Sequence, residues 1–317
     1  MNTKYSFENY ELTKPLGLVK KRKFNQVYLV QHRENKSYGV LKHFIKTDQN
    51  QHLQEFIRQE ANLTFNNDFL PQILAFEESD HEIKLIKNYC PGIPLNEFWK
   101  KIPKRNHIPF LILFLKKLEP IFEELQLKKL IHCDIKPGNF IINGTISDAI
   151  IDFDVYLIDF GLSFFTNPNI KRKTIFSLAY SAPEIILNKL HLANHSSDLF
   201  SLGITIYQLL NDELPFNNKN PAVTTNLQLT YPIQKTKKIP VSIFYILEKI
   251  CYKEKFHKPP NLLTNEEIEI ILKKGISKRY QSLKEINQDF QKIKLDEKNT
   301  FQRLIKIFSY SKIESKK

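Results

Sequence analysis

A chain of 317 residues is longer than one compact core usually grows, so its length indicates one large two-lobed unit or two domains. Hydrophobic residues make up 42% of the sequence and charged residues 26%, which excludes a disordered chain. The formal net charge of +13 can attract nucleic acid, anionic lipid or an acidic substrate, but no basic-aromatic pattern accompanies it. We therefore expect a globular protein without a nucleic-acid partner.

The three cysteines, Cys90, Cys133 and Cys251, lie far apart and in no metal-ligand spacing. This pattern is typical of reduced thiols in a reducing compartment. The first residues are too polar for a signal peptide, and no apolar run approaches the ~18 residues that span a bilayer. The sequence predicts a soluble, cytoplasmic protein with no membrane span, and it leaves the oligomeric state open.

After an extension of residues 1–9, the region 10–88 has the pattern of short strands separated by turn residues. The strand-like segments are YELTKPLG, QVYLVQHR, SYGVLKHFI, PQILAFEES and HEIKLIKNY. One helix interrupts them, in TDQNQHLQEFIRQEANLTF. The sequence therefore predicts a strand-rich N-terminal piece that contains a single helix.

Long helices dominate the pattern in residues 89–295. One stretch repeats apolar residues at helical spacing, with Pro120 as a point of bending; they are Leu111, Phe114, Leu118, Ile121 and Leu125. A strand-rich piece followed by a helical piece predicts an α+β, two-lobed architecture with a ligand site between the lobes. The basic tail, residues 296–317, is expected to form a helix on the body of the protein and not a membrane anchor.

The segment IHCDIKPGNF, residues 131–140, carries the first cluster of chemically active side chains. His132, Asp134, Lys136 and Asn139 crowd into one loop after the apolar helix. Farther on, VYLIDFGLS places Asp159 at the end of an apolar strand. Mg²⁺ takes few hard oxygen ligands and leaves the rest to water and phosphate. Two carboxylates, an amide oxygen and a lysine therefore indicate a magnesium–phosphate site.

Three segments in this order resemble the signatures of the eukaryotic-type protein kinase family. HCDIKPGN, DFG and SAPE, the last at residues 181–184, are similar to the family's HRDLKxxN, DFG and APE motifs. The resemblance covers roughly residues 10–295. It implies ATP and Mg²⁺ as cofactors, and a bilobal fold with a small antiparallel sheet and one key helix in the N-lobe. The C-lobe is then larger and mainly helical.

The resemblance assigns roles to the residues of these motifs. Asp134 is the catalytic residue that accepts the proton of the acceptor hydroxyl, and Lys136 stabilises charge on the transferring phosphoryl group. Asn139 and Asp159 hold Mg²⁺. The structural supports of the site are His132, Phe160, Gly161, Ser177, Glu184, Asp198 and Arg279. Among these, Asp198 holds the catalytic loop and Arg279 pairs with Glu184.

Lys42 and Glu60 are predicted to form an ion pair. Val40, Lys42 and Phe44 share one strand face by strict alternation, and Glu60 lies within the apolar stripe of the following helix, whereas Glu55 lies off it. A buried unpaired charge is costly, so each residue needs the other. In the family this pair positions the α- and β-phosphates of ATP.

The segment LGLVKKRKFNQVYLV matches the family's glycine-rich GxGxxGxV loop poorly. It retains only Gly17 and Val27, with Lys20 and Asn25 at the positions of the other glycines. Glycines there let backbone N–H groups approach phosphate closely. The four basic residues 20–23 either replace these dipoles with charge or form a solvated turn, and the sequence leaves both alternatives open.

The segment LIKNYCPGIPL is similar to the family's hinge between the lobes. The resemblance implies that the Asn88 carbonyl and the Cys90 amide bond the adenine edge. Lys87 then occupies a position where the family usually has an apolar residue or threonine, so it needs a partner or a route to water. Two regions near 141–156 and 252–274 exceed the usual spacing and are interpreted as insertions.

Lys136 and Ser177 resemble the serine/threonine branch of the family. In most members of the family an arginine precedes the catalytic aspartate and pairs with a phosphate on the activation segment. Cys133 stands at this position and cannot bind that phosphate, because it lacks the bidentate guanidinium of arginine. This non-RD pattern predicts that phosphorylation at Thr174 is not the main switch. Cys133 is interpreted as a small buried side chain, with a redox role as the alternative. The basic cluster 171–173 either selects acidic sequences near the acceptor or is solvated.

Three functions are compatible with the sequence. The favoured one is an active serine/threonine protein kinase, because every charged group of the mechanism is present. The altered glycine loop and Lys87 favour a catalytically silent pseudokinase that acts as a nucleotide-binding scaffold. A kinase of a small molecule or of lipopolysaccharide core is the third, although those relatives generally lack the APE segment.

Overall fold

A computed structural model describes residues 7–16, 25–146, 151–167 and 175–293. The predictions for Gly17, for the basic residues 20–23, for residues 171–174 and for the tail fall outside these ranges, and so does the side chain of Asn25. The chain divides into two compact units. The N-terminal unit comprises residues 1–91 and 156–163, and the C-terminal unit comprises residues 92–155 and 164–317.

The N-terminal unit contains an antiparallel sheet of five strands in the order β1-β2-β3-β5-β4. Its strands are β1 (Tyr10–Pro15), β2 (Asn25–His32), β3 (Tyr38–Ile45), β4 (Ile73–Glu78) and β5 (Glu82–Asn88). Helix α1 (Gln51–Ala61) connects β3 to β4. The five predicted strands and the one predicted helix are all present.

Alternation along the strands gives this sheet two buried faces, each with its own core. On one face Val30, Leu41 and Ile86 pack together with Tyr10. On the other face, Phe44, Ile83 and Leu85 pack against Ile57 and Ala61 of α1. The second core therefore fixes α1 on the sheet through β3 and β5.

The C-terminal unit is mainly helical. Its helices are α2 (Leu95–Lys101), α3 (His107–Leu127), α4 (Pro183–Ile186), α5 (His195–Asn211), α6 (Pro221–Thr230), α7 (Val241–Ile250), α8 (Asn265–Ser277) and α9 (Leu283–Lys292). Its short strands are β6 (Ile93–Pro94), β7 (Leu130–Ile131), β8 (Phe140–Ile146) and β10 (Phe164–Phe165), while β9 (Ile151–Leu157) runs from this unit into the other. A five-stranded sheet followed by a helical part confirms the predicted α+β class.

Helix α3 forms the centre of the C-terminal core. The apolar stripe predicted for it is fully buried, and the helix continues through Pro120, whose ring is on the exposed side. Asn287 of α9 donates from Nδ2 to the carbonyl of Leu115 (3.2 Å) and to Glu119 (2.6 Å). This contact joins α9 to α3.

The described parts of the two regions interpreted as insertions contain secondary structure. Residues near 141–156 form β8 and β9, two seven-residue strands of a sheet that also contains β6. Gly92 is required beside this sheet, because its φ is +121° and an added Cβ would lie 2.2 Å from the Ile142 carbonyl oxygen. Residues 252–274 contain a short 3-10 turn, Pro260–Leu262, and most of α8.

Among the helices of the described ranges, none has the length and apolar character needed to cross a membrane.

Candidate active site

Lys42 is the centre of a buried charge cluster in the N-terminal unit. Its Nζ lies 2.7 Å and 3.0 Å from the two carboxylate oxygens of Glu60, and 2.6 Å from Oδ1 of Asp159. Lys42 is 8% exposed and Glu60 is 1% exposed. The predicted pairing of these two residues is therefore present, whereas Glu55 pairs with Arg58 on the exposed side of the helix.

Lys87 joins the same cluster from the neighbouring strand. Its ammonium group contacts Glu60 Oε1, and the residue is only 4% exposed. The sequence contained the signal for this contact, because Ile83, Leu85 and Lys87 alternate on the face of β5 that packs on α1. The same alternation led to Lys42, but the partner of Lys87 was missed.

Burial and charge act in opposite directions on this cluster. Burial alone favours the neutral form of each group. For Lys42 the nearby carboxylates of Asp159 and Glu60 outweigh burial and raise its pKa above the ordinary lysine range. For Glu60 the charges of Lys42 and Lys87 outweigh burial and lower its pKa. Burial is the largest influence on Lys87 and lowers its pKa, with Glu60 opposing the shift and Lys42 adding to it.

Asp159 begins the DFG segment in a left-handed backbone conformation, with φ 68° and ψ 68°. Aspartate tolerates this conformation better than most residues. A 3-10 turn, Phe160–Leu162, follows. Phe160 is 1% exposed and its ring centroid lies 4.8 Å from that of Phe65. The buried Phe160 ring fixes the backbone next to Asp159, whose carboxylate contacts Lys42. Gly161 lies beside the cluster, since an added Cβ there would be 3.5 Å from both Asp159 and Glu60, an ordinary contact distance.

The residues predicted to contact adenine lie around the same sheet. Val27 is half-buried on β2 and is paired in register with Lys42. Asn88 ends β5, and its side-chain oxygen accepts the N–H of Gln72 at 2.8 Å. Cys90 is buried, and burial raises the pKa of its thiol to about 11. Because Gly17 is outside the described residues, only the later part of the glycine-rich segment can be located.

Asp134 is the centre of a second cluster, in the C-terminal unit. Lys136 Nζ donates to both of its carboxylate oxygens, at 2.9 Å and 2.7 Å. Ser177 Oγ donates to Oδ1 at 2.6 Å, and Asn139 Nδ2 donates to Oδ2 at 2.8 Å. Asp134 is 5% exposed. Three donors therefore hold one carboxylate in a single orientation.

Asn139 is oriented entirely by Asp134. Its Nδ2 donates to the Asp134 backbone carbonyl at 2.7 Å and to the Asp134 side chain. Because both contacts use the amide nitrogen, the amide oxygen is the atom left to bind a cation. An amide oxygen here and the half-exposed carboxylate of Asp159 are both hard ligands of the kind Mg²⁺ selects. The donor chemistry therefore fits the implied metal.

The catalytic loop is attached to α5 through Asp198. Its carboxylate accepts the backbone N–H groups of His132 (2.7 Å) and Cys133 (2.9 Å). Cys133 has a φ of 65°, and these hydrogen bonds help to hold it in the left-handed region. His132 Nδ1 accepts the N–H of Asp134 at 3.2 Å. Burial raises the pKa of Asp198 to about 7, against the effect of the two N–H donors.

Glu184 and Arg279 form the predicted ion pair. The guanidinium makes two hydrogen bonds to the carboxylate, at 2.7 Å and 3.2 Å, and both side chains are essentially inaccessible. Ser197 Oγ adds a third donor to Glu184 at 2.7 Å. Sequence reasoning missed Ser197, because a serine next to Asp198 at a helix start is also typical of a simple capping sequence.

Comparison with known proteins identifies the family of this chain. The sequence model of the protein kinase domain matches residues 16–301 of the chain. Mouse (Mus musculus) Aurora kinase C is 28% identical over 228 residues, which are 69% of this chain and 76% of the relative. Aurora kinase A-B of Xenopus laevis is 30% identical over 241 residues, which are 72% of this chain but only 54% of the relative. Mouse Aurora kinase B is 25% identical over 269 residues, which are 81% of this chain and 71% of the relative.

The chain belongs to the protein kinase domain family. Its relatives place it in the serine/threonine branch of the eukaryotic-type kinases, a class of transferases.

Proposed function

We propose that this chain transfers the γ-phosphoryl group of Mg-ATP to serine and threonine hydroxyls of a protein substrate in the cytoplasm. The observation that carries the proposal is the fixed Asp134 carboxylate, with Lys136, Asn139 and Ser177 as donors. Phosphoryl transfer depends on positioning and on charge stabilisation more than on covalent chemistry. A buried carboxylate locked by three donors supports that kind of catalysis.

Asp134 orients the acceptor hydroxyl and takes its proton. The contact with Ser177 shows that a hydroxyl can donate to this carboxylate at 2.6 Å, which is within the range required of a general base. Lys136 neutralises charge on the transferring group, since its Nζ already lies beside the same carboxylate. The pair of Lys136 and Ser177 supports serine and threonine as the acceptors.

Lys42 binds the α- and β-phosphates of the nucleotide. The two carboxylates around it keep Lys42 protonated, as the raised pKa indicates. Glu60 fixes the position of the ammonium group. Val27, the Asn88 carbonyl and the Cys90 amide hold the adenine, with Gly17 covering the phosphates. These assignments extend the family's roles to matching positions of this chain.

Asn139 and Asp159 hold Mg²⁺ through the amide oxygen and the carboxylate. When bound, Mg²⁺ would supply positive charge that offsets the negative charge of the phosphates. Asn139 is suited to this role because its nitrogen is already engaged with Asp134. Asp159 is suited because its backbone conformation and the buried Phe160 ring fix the direction of the side chain.

The thiol at position 133 supports a kinase that does not depend on activation-segment phosphorylation. Cys133 is 5% exposed and has no fork that could bind a phosphate. We further propose that the basic residues 171–173 favour acidic sequences around the acceptor. All three cysteines are buried thiols, which supports a reducing compartment.

The proposal is tested by transfer of radiolabelled phosphate from Mg-ATP to the chain itself and to a generic basic protein. Asp134→Asn and Lys42→Met are compared with Lys238→Met, an exposed lysine that pairs with Asp212. We expect phosphoserine or phosphothreonine that the first two changes abolish and the third retains. Nucleotide binding without any transfer would instead indicate a nucleotide-binding scaffold, and transfer to a small molecule alone would overturn the protein substrate.

A further inference from the structure

Glu60 has two buried cations where the ion pair predicted from the sequence requires one. Lys42 reaches it from β3, and Lys87 reaches it from the adjacent strand β5. The two lysines do not have equivalent surroundings. Lys42 also contacts Asp159 at 2.6 Å, whereas Glu60 is the carboxylate that Lys87 contacts. Glu60 therefore shares Lys42 with Asp159, whereas its contact with Lys87 is separate from Asp159.

This asymmetry matters because, in the proposed function, Lys42 binds the phosphates of ATP as well as the two carboxylates. A phosphate that binds to Lys42 competes with both carboxylates for the same ammonium group. Glu60 is 1% exposed, and a buried carboxylate that loses its cation is strongly unfavourable. With Lys87 in place, the negative charge of Glu60 stays compensated whatever Lys42 binds.

Lys87 is also well placed to act on helix α1. The neighbouring residues on its strand face, Ile83 and Leu85, already pack against Ile57 and Ala61 of the helix. Strand β5 lies between β3 and β4 in the sheet, so its backbone is held on both sides. The Lys87–Glu60 ion pair therefore adds a polar contact between β5 and α1 beside the apolar contacts of Ile83 and Leu85.

We propose that Lys87 is a positioning residue, a second tether that holds Glu60 and helix α1 on the sheet independently of Lys42. The proposal deepens the function proposed above and rests on it for the role of Lys42 in ATP binding. It assigns to Lys87 a contact that the usual apolar side chain at this position cannot make.

The test is hydrogen–deuterium exchange of the α1 amides, residues 51–61, in the full chain without nucleotide. The variants are Lys42→Met, Lys87→Met and the double variant, because methionine keeps much of the lysine volume without its charge. We expect each single variant to exchange within about threefold of the parent, since one cation remains. In the double variant we expect exchange at least about tenfold faster, because Glu60 is then buried without a partner.

Two controls separate this effect from general loss of folding. Exchange of α5, in the C-terminal unit, serves as an internal reference. Adding Glu60→Gln to the double variant removes the uncompensated negative charge of Glu60. We expect this change to restore most of the protection of the α1 amides against exchange. Lys84→Met is the matched control on the same strand, because Lys84 pairs with Glu82 and not with Glu60.

The proposal is overturned if Lys42→Met alone exchanges as fast as the double variant, or if the double variant exchanges like the parent. Steady-state kinetics adds a second test, because a change in packing alone is not expected to change KM for ATP without a similar change in kcat. We expect Lys87→Met to raise KM for ATP about three- to tenfold with a smaller effect on kcat, because Lys42 must then compensate Glu60 alone, and Lys87→Arg to reverse most of that rise. An unchanged KM for Lys87→Met contradicts the tether. If the parent chain transfers no phosphate, the proposed function fails, while the exchange measurement still decides the role of Lys87.

Discussion

Arg279 and Glu184 make a bidentate ion pair from which solvent is almost completely excluded, with N–O distances of 2.7 Å and 3.2 Å. The guanidinium also donates to the Tyr252 carbonyl at 2.8 Å and lies 4.9 Å from the centroid of the Phe200 ring. One side chain thus joins the APE segment, the residues after α7 and the core of α5. Removal of either partner leaves the other charge buried.

The first prediction concerns the stability of this ion pair. Arg279→Met is expected to lower the free energy of unfolding by about 3–5 kcal/mol, because Glu184 is left as an uncompensated buried charge. The measurement is urea unfolding followed by circular dichroism. Lys278→Met is the matched control, because the adjacent lysine pairs with Glu254 at the surface. Equal midpoints for the two variants would contradict the prediction.

The second prediction concerns the pH dependence of Asp198. Its pKa in the folded protein, about 7, lies above the ordinary aspartate value of about 3.9. Between these values the folded state binds more protons than the unfolded state, so the contribution of Asp198 to stability falls as pH rises, by at most about 1.4 kcal/mol per pH unit. We expect the stability advantage of the parent over Asp198→Asn to shrink between pH 5 and pH 7 and to level off above pH 7. Urea unfolding of both proteins across this range measures it, and a pH-independent difference would refute it.

The third prediction concerns thiol reactivity. Burial raises the pKa of Cys90 to about 11 and that of Cys251 to about 12, and Cys133 is 5% exposed. Since the thiolate is the reactive form, a two-unit rise leaves about a hundredfold less of it. Ellman's reagent at pH 8 is expected to label none of the three quickly in the folded chain and all three in guanidinium. Fast native labelling that Cys133→Ser removes would favour the redox role.

The fourth prediction concerns Ser177. Its hydroxyl donates to Asp134 at 2.6 Å and lies 3.3 Å from Lys136 Nζ. Ser177→Ala removes a charge-assisted hydrogen bond, so we expect kcat to fall by about tenfold, the equivalent of about 1.4 kcal/mol. Ser177→Thr keeps the hydroxyl and is expected to restore most of the rate. Steady-state transfer to a protein substrate tests both variants, and a rate for Ser177→Ala equal to that of the parent would show that the contact has no catalytic effect.

The fifth prediction concerns Thr174, which lies outside the described residues. Cys133 offers no arginine fork for a phosphate on the activation segment. Thr174→Ala and Thr174→Glu are therefore each expected to change activity less than tenfold. The transfer assay measures this directly, and a larger effect of either change would show that the segment is regulated by phosphorylation.

Sequence patterns were most informative where neighbouring residues along the chain decide the secondary structure and the face on which a side chain lies. Short strand-like segments separated by turn residues identified the strands of the N-terminal sheet. Alternation placed Lys42 on one face with Val40 and Phe44, and the helical stripe placed Glu60. The pairing of the two followed because each had a charge to compensate. The pairing of Lys87 with the same carboxylate was missed, since periodicity assigns a face but does not show how many cations one carboxylate can reach.

The two regions interpreted as insertions show a second limit. Spacing alone indicated extra residues between Asn139 and Asp159, but not that the described part of this region forms two strands of one sheet. Whether such a region forms a loop or a strand depends on the neighbouring strands, here β6 and β9 on either side of β8. The orientation of Asn139 was likewise beyond the sequence, because it depends on the backbone of Asp134.

The path of the chain has a consequence for dividing this protein into fragments. Residues 156–163 return to the N-terminal unit after the chain has entered the C-terminal one. A fragment that ended at Pro91 would lack the ring that packs on Phe65 and one of the two carboxylates around Lys42. A fragment that began at Gly92 would carry Asp159 and Phe160 without their partners. The N-terminal half of this chain therefore lacks part of its own core, and the C-terminal half carries that part away.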